Sequence, residues 1–245
     1  MKLVEHLEAW GTLFFKRRGS LPTLILLPVL VLSLADFRYP FGSHAADLIW
    51  EIVCFFITMA GFALRVYVSG TVPEGTSGRN TEQQRADELN TTGIYSVVRH
   101  PLYLANFVMG IGVALQPRVW YVPVITALVL LLYYERIIVA EEAYLEKKFG
   151  DAFRTWANTV PIVLPRWQAF AAGRLPFSTR AALRREFYGF CAVVAIFFVM
   201  DVMEDMVHEG AFALDPFWTT LFVLSAVGFF VLRYVKHNSD WLRRK

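Results

Sequence analysis

Charge is scarce in this chain. Only 18% of its 245 residues are Asp, Glu, Lys or Arg, whereas 56% are hydrophobic. Soluble domains carry about 25% charge and about 45–50% apolar residues. The deficit excludes an ordinary water-soluble domain and equally a disordered one. Cysteine is nearly absent: Cys54 and Cys191 both fall inside apolar runs, which excludes a disulfide framework. No internal repeat is visible, which argues against a transporter built from inverted halves. No small-residue cleavage site follows the first apolar run, so that run reads as a retained span and not as a signal peptide.

What the chain does have is long apolar runs. Six can be marked, at roughly 21–35, 48–68, 102–115, 119–139, 187–207 and 217–235. Four of them approach the ~20 residues that cross a bilayer. The expected fold is all-α, a polytopic membrane protein with about six transmembrane helices. Lys and Arg set its orientation. With six crossings and a cytoplasmic amino terminus, 22 of the 24 basic residues fall on the cytoplasmic side, and only Arg38 and Arg118 face outward. Both termini are then cytoplasmic, in an inner (plasma) or endoplasmic-reticulum-type membrane. The net charge of +3 reads as topology and anionic-lipid contact, not as a nucleic-acid footprint.

Three parts are expected: an amino-terminal segment with the first span (1–47), a core (48–165), and a basic linker leading to a closing helical pair (166–245). The linker Arg166–Glu186 holds Gly173, Pro176 and several arginines and reads as a broken amphipathic piece on the membrane surface. The loop Ser69–Thr92 is polar and turn-rich, with one or two helical turns expected over Glu82–Leu89. Long loops of this kind are commonly functional, so it reads as a lid or pocket wall.

Polar residues gather at one end of the hairpin formed by the third and fourth runs. Pro101 is a helix-start signal, and a helix from there to Leu115 is only about 22 Å long. Its start should lie below the headgroups, in a cavity, because irregular backbone at that depth needs protein or water around it. A helix amino terminus favours anions, and Arg99 and His100 stand beside it. The fourth run returns Glu135, Arg136, Glu141 and Glu142 to the same side. A cation-rich wall facing an anion-rich wall suits a zwitterionic small ligand, and ionisable groups at a membrane are functional by default. Other readings stay open: Arg99 and Arg136 as positive-inside anchors, Tyr95 and Tyr103 as interfacial aromatics, and His100 as a helix cap.

The run Gly93, Tyr95, Arg99-His100-Pro101, Tyr103, followed by the hairpin, Glu141-Glu142, Leu145, Phe149-Gly150, Val160-Pro161 and Pro165, resembles the isoprenylcysteine carboxyl methyltransferase and phospholipid methyltransferase superfamily of membrane enzymes. The resemblance covers about residues 90–166. It implies S-adenosylmethionine as methyl donor and a membrane lipid or lipidated acceptor. Carried over, it implies that Tyr95, His100, Pro101, Tyr103, Glu141 and Glu142 bind the cofactor and that Arg99, His100 and Glu142 serve catalysis. Arg99 and Arg136 are the candidate substrate contacts. The acceptor expected is an anionic group, first a lipid A-type phosphate because of the linker arginines Arg174, Arg180, Arg184 and Arg185, next a prenylcysteine carboxylate, and after these a phospholipid amine. The rival classes are a nicotinamide-dependent sterol-type reductase and a non-enzymatic lipid-binding protein. A second polar group, Asp201, Glu204, Asp205 and His208, follows helical spacing. It reads as a solvated helix end or a partner for Arg118, and no metal is assigned to it.

Overall fold

Each helix starts where local chemistry favours it. In the computed structural model, which describes residues 3–73, 86–210 and 212–242, Ser43 caps α3 (His44–Thr71) by accepting from the amide of Ala46. Such caps satisfy amides that have no partner within the helix. Pro101 opens α4 (Pro101–Leu115), and α5 (Tyr121–Phe149) returns from a short turn. Gly150, at φ +55°, ends α5 and leads into α6 (Asp151–Ala157). Ser178 caps α7 (Thr179–Glu209), which stops at left-handed Gly210, the usual helix-ending use of glycine. Asp215 caps α8 (Pro216–Asn238) through the amides of Phe217 and Trp218. Two further helices precede these, α1 (Leu3–Lys16) and α2 (Leu21–Ser33).

The all-α expectation holds among the described residues, where three or four helices, against the six expected, meet the length and apolarity of a span. Three helices, α3, α5 and α8, are long and apolar enough to cross a membrane. A fourth span exists if α1 and α2 count as one, bent by 80°. The reasons are local. α4 has only 15 residues. α7 is long enough, but charge stands at both its ends, Arg184 to Glu186 at the start and Asp201, Glu204 and Asp205 near the finish. The first apolar run is just 13 helical residues with Pro22 at its entry and Pro28 inside. Neither α1 nor its packing was anticipated.

Small residues let the helices approach closely. A Cβ on Gly61 would stand 2.6 Å from the carbonyl oxygen of Ala105, so α3 and α4 touch backbone to backbone. Gly11 presses α1 onto α5 against the carbonyl of Arg136 and the side chain of Ala140. There the Tyr133 hydroxyl donates to the carbonyl of Phe14 at 2.8 Å. Phe198 and Phe222 stack at 4.6 Å and hold α7 to α8.

Beyond the helix ends, two irregular segments run side by side. Gly93, at φ +63°, bonds its amide to the carbonyl of Ala171 at 2.8 Å. The Arg99 amide donates to Pro161, and the Arg166 amide to Val97. The linker, most of it exposed, therefore also buttresses the residues that enter α4. Half of the expected helical turn at Glu82–Leu89, residues 82–85, lies outside the described residues. From Glu88 to Thr92 the loop is irregular and walls a cleft of about 400 Å³ with Thr71–Pro73 and Gly173–Leu175.

Candidate active site

α4 starts where α5 still has several turns to run. At about 1.5 Å per residue, α5 is roughly 44 Å long and α4 about 22 Å, so α5 overshoots the start of its partner. Glu141 and Glu142 sit on that overshooting stretch and face Arg99 and His100. Nη1 of Arg99 donates to both carboxylate oxygens of Glu142 at 2.9 Å. His100 Nε2 lies 2.9 Å from Glu142 Oε1. An ionised carboxylate only accepts, so this contact puts the ring proton on Nε2. Nδ1 of His100 then faces Glu141 Oε2 at 3.7 Å, and the Tyr103 hydroxyl donates to the same oxygen at 2.9 Å. His100 is 8% exposed, so these contacts form in a largely dry setting, where charge-assisted bonds are strong.

One guanidinium stands against two carboxylates, with the His100 ring between them. Polar atoms remain on both sides. Arg99 Nε is buried without a partner, and Glu141 Oε1 has none among the described residues. The site thus offers a cationic donor and an anionic acceptor side by side. Tyr95 completes this wall. Burial pushes its phenol well above the usual range, and the Glu141 carboxylate adds to the push, so the hydroxyl stays neutral. Its carbonyl accepts from Trp156 Nε1 at 2.9 Å.

The structure gathers Tyr95, Arg99, His100, Pro101, Tyr103, Glu141 and Glu142 at one place. It does not bring Arg136 there. That side chain bonds the Leu132 carbonyl and Glu135, near the α1 contact on α5. The reason is angular: Arg136 and Glu142 are six residues apart, which at 3.6 per turn puts them on different faces. The linker arginines do not converge on the site either. Arg174 pairs with Glu88, Arg180 lies over Trp241, and Arg185 bonds the carbonyl of Ser69.

Sequence reasoning missed the layer behind the motif. Tyr103 stacks on Tyr134 at 5.0 Å, and Tyr134 bonds Asn106. Asn106 is a close partner of Arg65. Arg65 in turn pairs with Glu186 of α7 at 3.0 Å, and Glu186 accepts from Ser69 at 2.6 Å. A polar chain therefore crosses from α5 through α4 and α3 to α7. One signal was present: Arg65 is a charge within an apolar run, a position that is expensive unless paired.

Residues 53–152 match the phospholipid methyltransferase family. Three curated proteins show how far the likeness extends. The nickel-cobalt-cadmium resistance protein NccN of Alcaligenes xylosoxydans xylosoxydans is 36% identical over 87 residues, 36% of this chain and 40% of that protein. The protein-S-isoprenylcysteine O-methyltransferase of Schizosaccharomyces pombe is 35% identical over 77 residues, 31% of this chain and 33% of its own length. The cobalt-zinc-cadmium resistance protein CzcN of Cupriavidus metallidurans is 31% identical over 83 residues, covering 34% and 38%. The matched part thus spans well under half the length of each of these relatives. No solved structure matches the chain significantly. The paired motifs lie within the family match, so the likeness to the phospholipid and isoprenylcysteine carboxyl methyltransferases is centred on the α4–α5 hairpin.

Proposed function

We propose that this protein transfers a methyl group from S-adenosylmethionine to an anionic group, phosphate or carboxylate, of a membrane lipid or lipidated substrate. The observation that carries the reading is the Arg99–His100–Glu142 clamp with Glu141 beside it. The residues fit such a cofactor. Arg99 Nε, buried and unpartnered, can donate to its carboxylate, together with the start of α4. Glu141 can accept from its ammonium or ribose hydroxyls, and the rings of Tyr95 and Tyr103 offer faces to a cation or to adenine. The paired carboxylates of Glu141 and Glu142 complement a sulfonium. When bound, S-adenosylmethionine supplies an electrophilic methyl on that positive sulfur.

The chain's own residues then have positional work. Glu142 fixes Arg99 and His100 relative to α4, and Tyr103 fixes Glu141. Burial of the cluster keeps water from the reacting groups. A phosphate or carboxylate acceptor is ionised at neutral pH, so orientation replaces proton removal as the source of rate. The dispersed linker arginines supply no converging phosphate fork, so phosphate and carboxylate stand level as acceptors. We place the cluster on the cytoplasmic side, in accord with the distribution of Lys and Arg.

Calorimetry on purified protein is expected to show binding of S-adenosylhomocysteine and none of a reduced nicotinamide; the reverse would replace the methyltransferase with a reductase. His100→Ala and Glu141→Ala should each weaken that binding while the protein stays folded. Tyr103→Phe removes one charge-assisted bond worth about 1.5–3 kcal/mol, so a loss of about tenfold or more is expected from it. Unchanged affinity in all three would remove these residues from the site. The acceptor is identified by mass spectrometry of lipids and lipidated proteins from cells with and without the gene, as a species heavier by one CH₂ only when the gene is present.

A further inference from the structure

At the other end of the bundle, acidic side chains are buried in excess. Asp47, Glu51, Asp201, Glu204, Asp205 and Asp215 are all buried. The cations described around them are Arg118, paired with Asp47, and His44, 3.9 Å from Asp205. Asp215 is occupied in capping α8, and Asp205 accepts from the Tyr39 hydroxyl at 2.6 Å. His208 packs against the Tyr39 ring at 4.2 Å. Of the expected solvated helix end, Asp201, Glu204 and Asp205 are therefore buried while His208 is exposed, and Arg118 reaches α3 instead of α7.

Three of these groups converge. One carboxylate oxygen each from Asp47, Glu51 and Glu204 lie within 4.8 Å of one another. Glu51 accepts from Gln116 Nε2 at 2.8 Å and from Trp218 Nε1 at 2.6 Å. Glu204 is 0% exposed, and neither of its oxygens has a partner. An independent observation points the same way. Gln116 is fully buried, its amide nitrogen is committed to Glu51, and its Oε1 is left without a partner beside the cluster. Asp201 Oδ2 is also buried and unpartnered. Unpaired buried acceptors of this kind are costly, and here they are all oxygens.

We propose that Asp47, Glu51 and Glu204 bind one hard divalent cation of calcium or manganese size, with Gln116 Oε1 and Asp201 as supplementary oxygens. A set with no sulfur or imidazole among its converging atoms suits hard ions over soft ones. Oxygens within 4.8 Å of one another can share one ion at calcium–oxygen distances of about 2.3–2.6 Å. The ion would tie α3 to α7 about 21 Å from the Arg65–Glu186 pair, since 14 residues separate Glu51 and Arg65 on α3. It would also sit at the far end of α4 from His100, where Trp50 Nε1 bonds the carbonyl of Leu115 at 2.9 Å. All three principal ligands lie outside residues 53–152, and only the supplementary Gln116 comes from the hairpin turn.

The test uses the full chain in detergent, stripped with EDTA and titrated with Mn²⁺ under electron paramagnetic resonance. The expected result is one Mn²⁺ per chain, displaced by Ca²⁺, with affinity weakened about tenfold or more in Glu204→Gln and unaltered in exposed Asp151→Asn. Wild-type protein should also melt at a higher temperature in Ca²⁺ than in EDTA, a readout that needs no variant. Absence of Mn²⁺ binding at about 1 mM, with equal melting in Ca²⁺ and EDTA, would overturn the site and leave protons as the neutralising cations. Full binding retained in Glu204→Gln would overturn it equally.

Discussion

Glu142→Gln is expected to reduce affinity for S-adenosylhomocysteine by at least about a hundredfold. Glutamine keeps the shape and one acceptor oxygen but removes the charge that Arg99 and His100 share. Arg99 is 13% exposed and Glu142 21%, so the pair is mostly dry. Taking one partner from a buried pair costs about 3–5 kcal/mol, because the other charge is left without compensation. The partial exposure puts Glu142 at the lower end of that range, and about 1.4 kcal/mol is a factor of ten. The loss falls on the site as well as on stability, since the Arg99 backbone is fixed to Pro161 and cannot follow the side chain toward water. Glu135→Gln is the matched comparison. Glu135 is 59% exposed and pairs with Arg136, and such surface pairs contribute about 0–1 kcal/mol. Equal affinities in the two variants would show that the Glu142 clamp does not organise the binding site.

The contrast between these two glutamates also marks what a sequence can show. Pro101 before an apolar run, and two glutamates after the return run, were enough to place Arg99, His100, Tyr103, Glu141 and Glu142 together. Hairpin geometry is local: the turn at Gln116–Arg118 brings the two helices side by side, and helix rise does the rest. Arg136 failed the same reasoning because distance along α5 was considered and angle around it was not. Partners far apart in sequence were beyond reach. Arg65 and Glu186 are 121 residues apart, and Glu51 and Trp218 are 167 apart; apolar periodicity says nothing about which buried charge meets which. α1 was missed because its Glu5, His6 and Glu8 interrupt the apolar run, although Gly11, Phe14 and Phe15 form the face that packs on α5. The acidic end of α7 looked solvated because charge in sequence is visible and burial is not.

The packing of α3 on α4 should be the mechanical support of the site, and Gly112→Val the substitution that exposes it. A Cβ on Gly112 would stand 2.7 Å from the amide nitrogen of Thr58 and 2.9 Å from the carbonyl oxygen of Cys54, with the Thr58 hydroxyl closer still. Two of these three atoms are backbone of α3, which cannot rotate aside as a side chain can. The Thr58 hydroxyl is itself held by the Cys54 carbonyl at 3.0 Å. The helices must therefore separate, and overpacking of this kind costs about 1–3 kcal/mol, or roughly 2–12 °C in melting temperature for a chain of this size. Gly228→Val on α8 meets nothing within 4 Å and should leave melting nearly unchanged. Because α4 is short and stiff, displacing it at Gly112 also moves Pro101 and His100 away from Glu142. Gly112→Val should thus lose S-adenosylhomocysteine affinity in the protein that remains folded, although the substitution lies about 16 Å along the helix from Pro101. Melting curves for the two valine variants that coincide would mean that α3 and α4 do not meet through Gly112. Lowered melting with full affinity would mean that the start of α4 is held by the linker alone, through the Pro161 and Arg166 bonds.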